Sequence, residues 1–435
     1  MAYRSWGYTP PNKPTAVKPS WPNDVDLQKR PHSADSYLPF GNGRSYGDSC
    51  FNSGGALIDT CNLDRFIAFD SELGILKVES GVKLHDILSL VVPAGWFLPV
   101  VPGTSMVTVG GAIANDIHGK NHHCEGTFGL HVESFVIQRS DGNSLHCSAT
   151  ENPLLYSATI GGLGLTGLIL QATLRLKRIS SSNMEVFVKR FVGLQEFSEL
   201  SAQLSATHSY TVAWLDCVSK GAQMARGVFL AANHAQTGEL KAAEQAHKMV
   251  VPFHLPAITL NKFTLRTFNQ LYYSRHARID NSVISQGYKN YFFPLDSVGN
   301  WNRIYGKAGF YQYQFVVPLN EIDNLSKIIE EISRSGLGSF LAVLKEFGDV
   351  ESPGMLSFPR QGYCLALDFA HRKVKSRELI ERLDAIVKSC GGAAYPAKDR
   401  LMTSDSFKAY FKRSDDFIPW VDKQFSSDFW RRVSA

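Results

Sequence analysis

The chain has 435 residues, more than one hydrophobic core normally serves, so two domains are expected. It is 44% hydrophobic and 20% charged, with a mild formal charge of +5 and no Lys/Arg-rich run, which argues against nucleic acid and leaves a phosphate-bearing substrate or an anionic surface open. Seven scattered cysteines, odd in number and without CxxC spacing, point to reduced thiols and a cytoplasmic location.

Residues 1–40 read as an extended arm. Its opening, "MAYRSWGYTPPNKPTAVKPSWPND", has no apolar h-region, and no uncharged run in the chain reaches the ~18 residues that span a bilayer, so neither a signal peptide nor a transmembrane segment is expected. "GNGRSYGDSCFNSGG" (41–55) then sets glycines before a polar cluster, the pattern of backbone that approaches something closely. From 55 to 147 short β-like runs ("ALIDT", "RFIAFD", "ILKVESG", "SFVIQRSDG") alternate with glycine turns. "KLHDILSLVVPAG" is the clear helix there, with Leu84, Ile87, Leu88 and Val91 on one face and Gly95 as cap.

A second glycine group lies in "PGTSMVTVGGAIANDIHGKNHH" (102–123), where Gly103–Thr104 and Gly110–Gly111 let successive N–H groups curl around an anion. His118 and His122 have the spacing of metal ligands, but Gly119 weakens such a helix and stands where a zincin has Glu, so no metal is expected. "GGLGLTG" is a literal GxGxxG. It lacks the Rossmann context, because the segment after it, "LTGLILQATLRLKR", alternates as a half-buried strand. The pattern restarts near Ser182, a domain boundary. No internal repeat is visible.

Residues 249–261, "MVVPFHLPAITLN", are uncharged, apolar and broken by Pro252 and Pro256. Buried core is one reading. The other is a mobile lid that rests on an anionic membrane surface. From 310 to 397 the order is β-α-β-β-α-β, a split, ferredoxin-like unit: "FYQYQFVV", a helix ending at Gly336, "SFLAVLKEFG", "GYCLALDFA", a helix from Ser376 to Gly391, and "AAYPAK". In its first strand Gln312 and Gln314 share one face and Tyr311, Tyr313 and Phe315 the other. Two amides on an open face suit a polyhydroxylated ligand, or merely a solvated surface.

Together "GNGRSYGD", "PGTSMVTVGGAIANDIHGKNHH", "GGLGLTG" and "AYPAKD" resemble the vanillyl-alcohol-oxidase/p-cresol-methylhydroxylase class of FAD enzymes, over about residues 41 to 420. "WNRIYG", "QYQFVVP", "LKEFG" and "LSFP" are similar to the branch of that class acting on a polyprenyl-phosphoryl ribose. The resemblance implies a two-domain α+β fold. Residues 1–182, completed by 393–435, would bind FAD, and 183–392 would bind substrate on an antiparallel sheet. It implies oxidation of the ribose C2′ hydroxyl to a 2′-keto sugar, a lipid-linked sugar phosphate as substrate, and a separate short-chain dehydrogenase/reductase as partner. Peripheral contact with the inner membrane is the matching expectation.

By the same resemblance FAD is contacted by Gly41, Asn42, Gly43, Arg44, Ser45 and Tyr46 in the first loop, and by Pro102, Gly103, Thr104, Thr108, Gly110 and Gly111 in the second. Ala114, Ile117, His118, Gly119, Asn121, Gly164 and Tyr395 complete that set. Several relatives link the flavin through a His where this chain has Arg44, so FAD is expected without a covalent bond. Tyr46 is implied as a wall or donor beside the ring, Lys398 as the cation for the reduced ring, and His118 as a base, with water the alternative. Substrate contacts are implied for Lys120, Trp214, Gln312, Gln314, Lys345, Cys364, Ala366 and Lys398. The relatives' Asn–x–Cys appears here as Cys364–Leu365–Ala366, and their first helix and strand are missing from the arm. Two other functions share parts of this pattern: an alditol or sugar-lactone oxidase using oxygen, and a glycolipid-binding protein without flavin.

Overall fold

Alternating apolar residues build two sheets, and between them they carry most of the chain. The computed structural model describes residues 3–7, 14–28, 36–243, 249–256 and 259–435. Part of the expected arm, and Ala257 and Ile258 of the apolar stretch, lie outside these.

The first sheet has five antiparallel strands in the order Phe66–Asp70, Ile75–Glu79, Leu168–Arg175, Val132–Gln138, Ser144–Ser148. Ile169, Ala172 and Leu174 face the main core of this domain, while Leu168 and Leu170 turn to the cluster with Tyr37 and Ile58: the pairing with Val132–Gln138 skips Leu170, and that bulge breaks the expected alternation. The helix Leu84–Val91 buries Leu84, Ile87, Leu88 and Val91, then tightens into a 3₁₀ turn that Gly95 ends in the left-handed region at φ 82°. The expected extended arm is corrected in part: Thr15–Val17 and Tyr37–Phe40 are strands, paired in parallel on either side of Ala56–Asp59. "GGLGLTG" is the turn between the helix Pro153–Thr159 and the strand Leu168–Arg175, with Leu163 and Gly164 both left-handed.

The second sheet is wider. Its eight strands run Ser282–Gly287, Asn183–Phe191, Gly227–His234, Tyr210–Leu215, Val343–Phe347, Gly362–Ala370, Phe310–Val317, Ala393–Ala394. The last four reproduce the split unit in ferredoxin order, with the helices Ile322–Ser335 and Val374–Ser389 on the Tyr313/Phe315 face. The first four have the same order of strands and the same element sequence, with helices Leu194–Ser205 and Lys262–Arg275. The sheet is therefore two split units joined edge to edge through Tyr210–Leu215 and Val343–Phe347. The sequence showed only the second.

Ala393–Ala394 hydrogen-bond to Phe310–Val317, so the last strand of the wide sheet comes from the expected strand "AAYPAK". The helix expected to start at Ser376 begins at Val374, because the Ser376 hydroxyl turns back to accept from the Arg372 N–H. The C-terminal residues then return to the first loop: Arg432 pairs with Asp48 (2.7 Å) and Asp399 (3.2 Å), and Arg139 with Asp422 (3.0 Å). Among the described residues no helix is long and apolar enough to cross a membrane.

Candidate active site

A cavity of about 880 Å³ opens between the two glycine groups and the Gln312/Gln314 face of the wide sheet. That volume lies within the range of small-molecule and cofactor sites. One wall is the first loop. Gly43 takes φ +61°, and a Cβ at Gly41 would strike the Thr108 hydroxyl at 2.3 Å, so both glycines are forced by the protein itself. Asn42 ties this loop to the second by donating to the Met106 carbonyl (2.8 Å). Thr108 caps the short helix Val109–Ala114 through the Gly111 N–H.

Gly103 differs from these. A Cβ there would meet no protein atom within 4 Å, and its φ is not left-handed, so nothing in the chain requires glycine. It lines the cavity, which makes its smallness a service to whatever occupies the space. Arg44 lies over the Trp6 ring (4.2 Å) with its Nε buried and unpartnered, and His118 Nδ1 is also buried without a partner. Spare donors and a bare backbone against one cavity fit a polar, phosphate-bearing cofactor. The residues present thus fit FAD.

The opposite wall is the sheet. Gln312 and Gln314 both face the cavity, as their alternation predicts, and register puts them across from Asp368 and Ala366. Gln312 Nε2 donates to Asp368 Oδ1 (2.6 Å), and the Tyr305 hydroxyl to Oδ2 (3.4 Å). Burial pushes the Asp368 carboxyl up to about 7. Gln314 Nε2 donates to His118 Nε2 (2.7 Å) and to Cys364 Sγ (3.3 Å). With that bond in place His118 Nε2 is the acceptor and Nδ1 carries the hydrogen. Burial, then the Lys345 ammonium, holds His118 well below its ordinary value, so the ring is neutral.

Lys398 sits with Nζ 3.7 Å from the centre of the Tyr46 ring. Burial pulls its ammonium down to about 7, Asp368 opposing and Lys345 adding to the shift. Burial likewise raises the Tyr46 phenol. Lys345, across from Cys364, has its ammonium 3.4 Å from the Gly119 carbonyl and is lowered by burial.

Most of the expected residues meet here: Gly41 to Tyr46, Pro102, Gly103, Thr104, Thr108, Gly110, Gly111, Ala114, Ile117, His118, Gly164, Tyr395, Gln312, Gln314, Lys345, Ala366 and Lys398 all line the cavity. Five do not. Lys120 reaches away to the Tyr291 carbonyl and ring, and Trp214 donates to the Phe340 carbonyl (3.0 Å) against Tyr272. Cys364 lies behind Gln314, its thiol pushed up to about 11 by burial. Asn121 anchors the loop to the Pro99 carbonyl (2.7 Å), and Gly119 is tight against Asn121 and Val101. Sequence reasoning missed Asp368, although alternation from Ala366 would have put it on the same face. It also missed Trp6 and Trp301, which sit in segments without periodicity.

Residues 32–148 match the FAD binding domain family. The chain is 36% identical to decaprenylphosphoryl-β-D-ribose oxidase of Mycolicibacterium smegmatis over 98% of its own length and 96% of that protein. An uncharacterized protein of Streptomyces coelicolor is 31% identical over 81% of this chain and all of its own. A putative D-arabinono-1,4-lactone oxidase of Neurospora crassa is 26% identical over only 27% of this chain and 21% of that protein.

Proposed function

The chain belongs to the family of the decaprenylphosphoryl-β-D-ribose oxidases, FAD-dependent oxidoreductases, and we propose from that premise that it oxidises the ribose C2′ hydroxyl of a polyprenyl-phosphoryl-β-D-ribose to the 2′-keto sugar. The observation that carries this reading is the single cavity that joins both glycine loops to the polar face of the wide sheet. Gly41 to Tyr46 and Pro102 to Gly111 would hold FAD, which when bound supplies the two-electron acceptor.

The chain's own side chains divide the remaining work. Gln312 is held by its Nε2 on Asp368, which leaves its carbonyl oxygen to accept from a sugar hydroxyl. Lys345 puts a cation on the same face, where a phosphodiester has its charge. Lys398, poised near neutrality, takes the hydroxyl proton at Nζ and then keeps a positive charge in the cavity. The lone pair of His118 Nε2 is already engaged by Gln314, so the base role expected of His118 passes to Lys398, and His118 Nδ1–H serves as a donor. A 2′-keto product still needs reduction at C2′ to become the arabino epimer, which is the task of a separate short-chain reductase.

The sugar-lactone alternative is weakened by the short span of the lactone-oxidase match. The test is direct. Incubation of the FAD-loaded protein with a prenyl-phosphoryl ribose and a dye acceptor, then borohydride, should give both ribo and arabino sugars. Faster peroxide formation from a free alditol or lactone would overturn the reading.

A further inference from the structure

The outer surface next to the cavity combines exposed apolar side chains with unneutralised cations. Met249–Val250 pairs in parallel with Val298–Gly299, a strand that lines the cavity. Beyond it the Leu255 N–H donates to the Arg303 carbonyl (3.0 Å), and the Arg303 guanidinium donates to the carbonyls of Val251 (3.1 Å) and Pro252 (2.7 Å). Leu260 packs on Trp301 and Tyr305. Residues 249–256 are thus a strap fastened over the cavity wall, with Met249, Val250 and Phe253 turned outward and Phe253 63% exposed.

The helix Lys262–Arg275 continues this surface. Its counterpart in the second split unit, Val374–Ser389, buries five side chains, among them Leu379, Ile380, Leu383 and Val387, whereas this helix buries only Leu265 and Asn269. Phe268 leans on Phe340 (5.5 Å), which stacks on Tyr305, so the helix too sits against the cavity's outer wall. Phe263 and Leu271 fall on one outward stripe, 78% and 65% exposed. From Met249 to Ile279 the chain has no Asp or Glu. Lys262, Arg266, Arg275 and Arg278 are exposed, and among the described residues none of them makes an ion pair.

We propose that the strap and this helix dock the protein on an anionic phospholipid surface, with the apolar side chains in the headgroup layer and the cavity wall held against it. Apolar side chains flanked by unpaired cations, without a single acid, complement such a surface. The purpose rests on the lipid-linked reading of the substrate, since a prenyl chain would then leave the membrane beside the site. The observations themselves do not depend on it.

Co-sedimentation of the FAD-loaded protein with vesicles, in the absence of substrate, tests this. Binding to phosphatidylcholine vesicles containing phosphatidylglycerol should exceed binding to phosphatidylcholine alone by at least about tenfold at low salt, and fall as salt rises. The Phe263→Ser/Leu271→Ser pair and the Arg266→Gln/Arg275→Gln/Arg278→Gln triple should each lose roughly tenfold, with flavin content, melting and turnover of a short, water-soluble prenyl-phosphoryl ribose unchanged. Wild-type protein that ignores anionic vesicles, or variants that bind like wild type, would overturn the proposal. So would conversion of an oligomer to monomers by the Phe263/Leu271 pair, which would make this face a self-interface. Vesicle binding without turnover of any prenyl-phosphoryl ribose would leave the docking surface standing and remove the substrate reading instead.

Discussion

Asp368 accepts from Gln312 and Tyr305 and lies within the electrostatic reach of Lys398, so in the proposed mechanism it would act on the chemistry through both neighbours. Lys398→Ala removes the proposed proton acceptor and its later charge. One preorganised charge contact is worth about 3 kcal/mol, so flavin reduction should slow roughly a hundredfold in stopped-flow traces, with flavin content unchanged. In the wild type the rate should fall below about pH 7, where Lys398 stays protonated and cannot accept, and level off above it. Asp368→Asn takes away the charge that raises Lys398, so that limb should move to lower pH. It also frees the Gln312 amide to turn, and KM should rise by about tenfold, the worth of one mispaired buried hydrogen bond of ~1–3 kcal/mol. A variant with wild-type KM and an unmoved limb would leave Asp368 a structural residue. Arg44, held on Trp6 where relatives carry the linking His, predicts that acid precipitation leaves the yellow chromophore in the supernatant. Gln312 and Gln314 were legible because period-two alternation fixes a face. Lys120 and Trp214 were not, because a side chain's direction past the backbone depends on neighbours such as Tyr291 and Phe340 that lie far away in sequence.

At the scale of elements, the second split unit could be read from the chain and the first could not. Leu325, Ile328, Ile329 and Ile332 make a clean stripe that Gly336 stops in the left-handed region, and Val374–Ser389 has its own stripe. Lys262–Arg275 has no such stripe, so its unit never declared itself, and the duplication shows only in the strand order. Expected strands also came out short for local reasons. "SFLAVLKEFG" pairs only from Val343, because Ser339 spends its groups on Cys217, Leu341 and Asp368, and "AAYPAK" stops at Ala394 with Pro396 close behind. Glycine-rich loops can be spotted in sequence, but which glycines serve a ligand needs coordinates. Gly47 is structural: a Cβ there would lie 1.6 Å from the Asp399 carbonyl oxygen, so Gly47→Ala should lower the melting temperature of the apoprotein. Gly103→Leu should leave apoprotein melting unchanged and weaken FAD binding at least about tenfold, because a Cβ at this cavity-lining position meets no protein atom. Calorimetry and fluorescence titration of both variants separate the two kinds. A Gly103→Leu protein that binds FAD like wild type would remove this loop from the cofactor wall.

For the whole molecule, the join between the sheets is also where acid should attack. His122 is buried between the flavin-side loop and the wide sheet, its ring 4.6 Å from that of Phe347, with both ring nitrogens unpartnered. Burial, with Lys345 adding, lowers it to about 4. His234 lies against Phe97 at the other end of the same join and is also lowered to about 4, mainly by burial. In the unfolded chain both titrate near their ordinary value of 6.5. The unfolded state therefore binds protons that the folded state refuses, and stability must fall as the pH drops below about 6.5, down towards the folded values near 4. At pH 5 the loss is roughly 2 kcal/mol for each histidine. The step between pH 6.5 and 5 therefore sums these two and the likewise lowered His118, set against Asp368, whose raised carboxyl takes up a proton in the fold over the same range. His122→Phe keeps an aromatic ring against Phe347 and deletes the two unpartnered nitrogens, so it should raise stability at neutral pH and remove about 1.5 kcal/mol of acid loss from that interval. Urea unfolding of the flavin-free protein at pH 7.5, 6.5 and 5 measures both quantities without coupling to cofactor binding. A His122→Phe protein that loses as much stability between pH 6.5 and 5 as the wild type would mean that His122 charges in the fold and that the join between the sheets is open to water.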